Sequence, residues 1–236
     1  MRLVQESANL YRLTRVGMVN CFLLRKPDGL TLIDTNLPGS CRAILDAANS
    51  LDSHITVIAL TYAHFDHVGS LDALAKALPN VKVLIGSREA RLLARDFSLE
   101  PDEQGKSLLG FKRVESRPHS LLRDNDRIGS LRVIPSPGHT PGHVSFLDAR
   151  DNSLIAGDSF TTQTGVVAAG VHSLLFPFPA WFSWNADLAA QSAASLCALR
   201  PDLLAVGHGP TVRSPWGKMQ EAVETAFRQH PIHSPK

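Results

Sequence analysis

The stretch Thr61-Tyr62-Ala63-His64-Phe65-Asp66-His67-Val68-Gly69 places two imidazoles and a carboxylate within four positions, directly after the apolar run Ile55–Leu60. A continuous apolar run of that length reads as a buried strand. The cluster therefore stands where a strand passes into a loop. Three further groups repeat this context. His139 lies in Pro137-Gly138-His139-Thr140-Pro141-Gly142-His143. Asp158 follows Gly157 after a strand expected at Leu154–Ala156, and His208 sits between Gly207 and Gly209 after a strand expected at Leu203–Val206. In a layered α/β fold such strand ends converge on one edge, where ligand crevices form.

Outward from these anchors, Asn9–Thr14, Val19–Lys26 and Leu30–Asp34 read as strands, the last two joined by the Pro27-Asp28-Gly29 turn. The spacing of Ile44, Leu45 and Ala48 predicts a helix over Ser40–Leu51 with Ser40 as N-cap. Helices are expected over Val68–Leu78 and Ser87–Asp96, with a strand at Val81–Ile85 between them. In the second half, strands are expected at Leu131–Ile134 and Val144–Leu147, and a helix over Asn185–Leu199. A last helix is expected after Ser214-Pro215, with Ser as N-cap and Pro in the first helical position. Strands and helices mixed in both halves imply two mixed β-sheets flanked by helices, a layered α/β sandwich. No repeat, low-complexity tract or linker divides the chain, so residues 1–236 are expected to form a single domain. Two stretches, Phe97–Pro118 and Thr161–Trp184, resist assignment, and connections of that length are usually functional or mobile.

Composition removes several classes of function. A net charge of +2 with no Lys/Arg run gives no case for a nucleic-acid partner. No apolar run reaches membrane-spanning length, and the most apolar stretch, Phe176–Trp184, is broken by Pro177 and Pro179. The first residues lack the apolar core and cleavage site of a signal peptide, which predicts a cytoplasmic protein. Cys21, Cys41 and Cys197 form no CxxC pair, so neither a disulfide framework nor a thiolate zinc site is expected.

The remaining chemistry is that of imidazole and carboxylate, the donors that Zn²⁺, Fe²⁺ or Mn²⁺ accept. An open position on such a metal binds water and brings its pKa towards neutrality. A lone His64 or His208 would read as an ordinary hydrogen-bonded histidine, and Asp66 or Asp158 as a helix cap. Four motifs in sequence order, each at a strand end with glycine nearby, shift the reading to a metal site.

Taken together, these motifs resemble the metallo-β-lactamase superfamily: the His-x-Asp-His cluster, PGHTPGH, Gly157-Asp158 and Gly207-His208-Gly209. Asn20 to Thr35 also resembles the family's opening hairpin, so the likeness covers nearly the whole chain. The resemblance implies a four-layer αβ/βα sandwich. It implies that His64 and His139 bind a first metal, that Asp66, His67 and His208 bind a second, and that Asp158 bridges both. Zinc is the metal implied first, with iron or manganese next. The reaction implied is attack of a metal-bound hydroxide on a carbonyl, with Asp66 as the residue that orients it and moves its proton. His143 is expected to support the site rather than to ligate.

One position departs from the family pattern. Its first histidine is Tyr62 here, and a phenol must lose its proton before it can bind metal. One metal is therefore expected to bind tightly and the first site to be weakened. Tyr62 is expected to be catalytic, donating its hydroxyl to the substrate carbonyl. After His208 about 28 residues remain, too few for the helical glutathione domain of glyoxalase II enzymes. The branch that fits is that of small lactonases and esterases, with a glyoxalase II-like thioesterase as the alternative. A weakly active relative that only binds is the reading from another class. Five of the 15 aromatic residues fall between Phe176 and Trp184. They predict an apolar wall for an acyl-bearing small molecule, or else a piece of core or a homodimer interface.

Overall fold

Period-two alternation sorts the apolar residues of each strand between two interiors. Cys21 and Leu23 enter one apolar cluster, while Phe22 and Leu24, alternating with them, enter another. The same split separates Ile58 and Leu60 from Val57 and Ala59. Strands buried on both faces must lie inside a layered molecule, with something apolar on either side.

The computed structural model describes residues 1–173 and 176–230. Its first sheet runs in chain order through β1 (Arg2–Gln5), β2 (Leu10–Arg15), β3 (Val19–Lys26), β4 (Gly29–Ile33), β5 (Ile55–Leu60), β6 (Lys82–Gly86) and β7 (Ser120–Leu122). The second contains β8 (Arg127–Ile128), β9 (Leu131–Pro135), β10 (Val144–Asp148), β11 (Ser153–Ile155), β14 (Leu203–Ala205) and β15 (Val212–Arg213), in the order β15-β14-β11-β10-β9-β8. A short pair, β12 (Phe160–Thr161) and β13 (Val167–Ala168), stands apart.

Helices α1 (Cys41–Ser50), α2 (Leu71–Ala77) and α3 (Ser87–Leu93) lay Ile44, Leu74 and Leu92 on the outer face of the first sheet. Helices α5 (Ala186–Ala198) and α6 (Trp216–Gln229) lay Ala193, Leu196, Met219 and Ala226 on the outer face of the second. Between the sheets, Phe22, Ile33 and Ala59 meet Val133, Phe146 and Ile155. The layers are thus helix, sheet, sheet, helix, as expected. A short α4 (Phe178–Phe182) lies between β13 and α5. Among the described residues no helix is long and apolar enough to cross a membrane.

Differences from the sequence reading have local causes. Helix α2 begins at Leu71 rather than Val68, because the Val68 amide still closes a turn onto His64 O at 3.0 Å. Ser214 is not the N-cap of α6. Its φ of +47° and its amide bond to Asp202 O at 2.8 Å take it out of the helix start, and Pro215 caps instead. Phe97–Pro118 contains no helix or strand, only an isolated bridge between Phe111 and His64. Thr161–Trp184 yields β13 and α4, while Leu174 and Leu175 of that stretch lie outside the described residues.

Candidate metal centre

Strand direction explains why the motifs meet. β4 and β5 are parallel, so Asp34 and the His64–His67 turn leave the first sheet at one edge. β9 and β11 are both antiparallel to β10 between them, and β14 is parallel to β11. The loops carrying His139, Asp158 and His208 therefore open on one edge of the second sheet. Backbone bonds sew the two edges together: Val144 N donates to Thr61 O at 3.0 Å and Asn20 N to Gly207 O at 2.8 Å. The Asn20 side chain donates to Val206 O at 2.9 Å and Gly209 O at 2.7 Å, which fixes the His208 turn from both sides. Gly207 is required by a close approach, since a β-carbon there would overlap the Asp158 carboxylate and the His67 ring.

All six expected ligands, and Tyr62, come together around Asp158. Among the described residues, ligand atoms of Asp66, His67 and His208 lie within 4.8 Å of one another, while His64 and His139 belong to no such group of three. Asp158 Oδ1 lies 3.5 Å from His67 Nε2, and its Oδ2 lies 3.1 Å from His208 Nε2 and 3.7 Å from His139 Nε2. His208 Nε2 also meets Asp66 Oδ2 at 3.2 Å. The rings of His67, His139 and His143 have orienting partners. Asp34 Oδ2 takes the Nδ1 proton of His67 at 2.8 Å and turns Nε2 inward. Ser183 Oγ stands 3.1 Å from His139 Nδ1. His143 accepts the Asp158 amide on Nε2 at 3.2 Å and pairs its Nδ1 with Ser136 Oγ at 2.8 Å, so both nitrogens are engaged. It braces Asp158 and is not free to ligate.

Tyr62 departs from its expected role. Its side chain is fully buried, and its hydroxyl donates to Asp158 Oδ2 at 2.7 Å. Rings of His67, His64, His139 and His143 surround it at centroid distances of 4.2, 4.8, 4.9 and 5.2 Å. It is absent from the cavity wall beside the centre. A phenol so enclosed has its proton committed to Asp158 and does not line the cavity.

The electrostatics divide the centre. Burial alone would depress His67, but the carboxylates of Asp34 and Asp158 outweigh it and raise its pKa to about 9. Burial is likewise overcome at His208, which Asp158 and Asp66 push well above the ordinary imidazole value. Against the burial that would raise it, Asp66 is drawn down to about 2 by its hydrogen bond from His208. Asp158 is likewise held well below the carboxylate range by His208 and His67. On the other side, burial holds His64 well below its usual value and brings His139 to about 4. Burial, and then the Asp158 charge, push Tyr62 well above 10. Carboxylates thus ask for positive charge beside His67 and His208, whereas at His64 burial and the neighbouring His139 outweigh the pull of Asp66 and Asp158.

Among the described residues, four buried candidate ligand atoms have no hydrogen-bond partner: His67 Nε2, His139 Nε2, His208 Nδ1 and Asp158 Oδ1. Orphaned atoms of this kind carry a desolvation cost that a ligand can remove. With the anionic surroundings just described, the donor set on the Asp66 side fits a divalent cation. The donor set on the Tyr62 side, with a protonated phenol at one corner, does not.

The aromatic segment divides too. Phe176, Phe178 and Phe182 join Val16, Met18 and Leu37 in lining a cavity of about 320 Å³ that reaches Asp66, His139, Asp158 and His208. Trp184 instead turns into the interior, where its amide donates to His139 O at 3.0 Å and holds that loop. Trp181, 60% exposed, stands at the surface.

Two supporting residues had no sequence reading. Asp34 was legible only as part of a hairpin, although the placement of a carboxylate at a strand end was a usable signal. Glu89, on α3, is fully buried and accepts the amides of Ala63 and Gly142, both at 2.9 Å. It thereby ties the His64 turn to the His139 loop. Burial raises its pKa to about 7 against those hydrogen bonds. A Glu in a first helical turn ordinarily faces solvent, so nothing in the sequence marks it.

The family model "Metallo-beta-lactamase superfamily" matches residues 14–208. The chain belongs to the metallo-β-lactamase superfamily. Uncharacterized protein YobT of Bacillus subtilis is 46% identical over 210 residues, covering 88% of this chain and 90% of that protein. A hydroxyacylglutathione hydrolase of Aeromonas salmonicida is 32% identical over 129 residues, covering 53% of this chain and 41% of that protein. A metallo-beta-lactamase from Pontibacter korlensis superposes with a TM-score of 0.71 at 15% identity, over 97% of this chain and 99% of that one. That likeness is one of fold.

Proposed function

We propose that this chain is a metal-dependent hydrolase acting on an ester or lactone with an apolar acyl group. The observation that carries the reading is the set of unpartnered buried ligand atoms beside an apolar cavity. Asp66, His67 and His208 would hold the cation together with Asp158, and zinc is the metal that best suits these donors. When bound, such a cation supplies Lewis acidity and makes a water acidic near neutral pH.

The rest is the work of the chain's own residues. Asp34 orients His67 through Nδ1. Asp66, ionised and at the cavity wall, is placed to orient a water, accept its proton and pass it to the leaving oxygen. Phe176, Phe178 and Phe182 exclude solvent and take up the acyl chain. Loops from both sheets contribute to one centre, which supports reading the chain as a single domain.

The test is turnover of esters and lactones of increasing acyl length, with and without chelation. Each methylene buried adds about 0.8 kcal/mol, roughly a four-fold rise in kcat/KM until the cavity is full. Activity that survives complete metal removal, or a flat series, overturns the reading. The hydroxyacylglutathione hydrolase relative favours a second reading, a thioesterase. Among the described residues, however, the cavity wall carries no Lys or Arg to meet the carboxylates of glutathione. Preference for a glutathione thioester over every simple ester would establish the second reading instead.

A further inference from the structure

Asp158 has two oxygens, and they face different company. Oδ1 is buried without a hydrogen-bond partner and lies 3.5 Å from His67 Nε2, on the side of Asp66 and His208. Oδ2 accepts the Tyr62 hydroxyl at 2.7 Å and lies 3.1 Å from His208 Nε2. A carboxylate that bridges two cations, through one oxygen or through both, needs lone pairs free towards each of them. Here the oxygen nearer to His139 is already taken by a phenol.

The space on that side is filled as well. The rings of Tyr62, His64 and His139 form a near-equilateral triangle, with centroid separations of 4.8, 4.9 and 4.9 Å. Three imidazoles so arranged could turn their nitrogens onto one ion. With a six-membered phenol at one corner, the triangle is packed with carbon and its only oxygen is turned out to Asp158. That oxygen is a donor in its hydrogen bond, since the ionised carboxylate can only accept. To ligate, it would have to lose its proton and abandon Asp158. Tyr62 has no exposed path by which to swing aside, being enclosed by four imidazoles.

We propose that this chain holds one divalent cation rather than two, and that Tyr62 sets the number. Its phenol fills the place of an ion beside His64 and His139 and confines Asp158, through Oδ1, to the ion beside Asp66, His67 and His208. The inference rests on the metal-centre reading above and concerns stoichiometry, which can be measured without a substrate. Tyr62 is in this view a positioning residue. It substitutes a hydrogen bond to Asp158 for a cation on the side of His64 and His139.

The experiment is elemental analysis of the whole chain after saturation with zinc and removal of excess, for the unaltered protein, Tyr62→Phe and Tyr62→His. About one atom per chain is expected in the unaltered protein and in Tyr62→Phe, and about two in Tyr62→His, which restores a third imidazole. Calorimetric titration of zinc into the stripped unaltered protein should show a single tight step. Two atoms in the unaltered protein overturn the inference while sparing the hydrolase reading. Loss of the ion in a folded Tyr62→Phe also overturns it, by making the phenol a ligand. No zinc in any of the three removes the metal-centre reading itself. Should Tyr62→His fail to fold, the unaltered protein and Tyr62→Phe still decide.

Discussion

The two sides of Asp158 carry similar residues in opposite electrical settings. Asp66, His67 and His208 share their side with Asp34, and His67 there rises to about 9. His64 and His139 are buried to a similar depth, but His139 falls to about 4 under the same desolvation. Both sides are built from loops at strand ends and are held by the same sandwich. What differs is how closely carboxylates approach: Asp34 Oδ2 stands 2.8 Å from His67 Nδ1, whereas Asp158 comes no nearer than 3.7 Å to His139 Nε2. Position in a fold and electrostatic character are therefore set by different residues.

The largest effect should come from removing one ring from each side. His208→Ala should bring ester turnover down to the metal-free background and lose the bound zinc. His64→Ala should cost about ten-fold and keep it, the scale for a supporting rather than a binding group. Measured kcat/KM and metal content of the two variants check this, and equal losses would break the comparison.

A smaller contrast is expected one layer out. Asp34→Asn removes the charged partner of His67 and should cost about 10–100-fold in zinc affinity. Ser183→Ala removes a neutral partner of His139, and its effect should be at most a few-fold, since charge-assisted hydrogen bonds are roughly twice as strong. Competition against a chelator of known affinity measures both. A larger loss at Ser183 would place the ion on the wrong side.

The smallest effect concerns stability and pH. Glu89 has a folded pKa raised to about 7 from an ordinary value of 4.5. It keeps its proton in the folded protein at pH values where the unfolded chain has released it. Its contribution is therefore fully present below pH 4.5 and is lost as pH rises through 7. Glu89→Gln should remove that downward slope between pH 4.5 and about 7. Urea unfolding of both proteins at a series of pH values gives the difference. An unchanged slope would mean that Glu89 is ionised when folded.

Much of the layering was legible because burial on both faces writes itself into composition. Ile55–Leu60 and Val19–Lys26 could be read as strands without knowing their partners. The strand ends, with their glycines, marked the metal-binding candidates for the same reason. What escaped was set by distant partners. The two- and three-residue strands β7, β8, β12, β13 and β15 owe their form to a neighbour's hydrogen bonds rather than to their own pattern. Glu89 is buried because two loops bring their amides to it, and neither loop is near it in sequence. Tyr62 could be recognised as a departure, but the direction of its hydroxyl depends on Asp158, 96 positions away.

Asn20 carries a consequence for the order of events in folding. Its carboxamide reaches Val206 and Gly209 across 186 and 189 positions of chain, nearly the whole described length. Closing so long a loop spends chain entropy before its contacts return anything, and such contacts tend to form late. The His208 turn is therefore among the last pieces to settle, after both sheets have their cores. A nascent chain that has made only its first sheet has His64 and His67 but neither Asp158 nor His208, and cannot retain an ion. Capture of metal becomes a reporter of completed folding. Zinc should then protect the finished molecule against unfolding without hastening its formation.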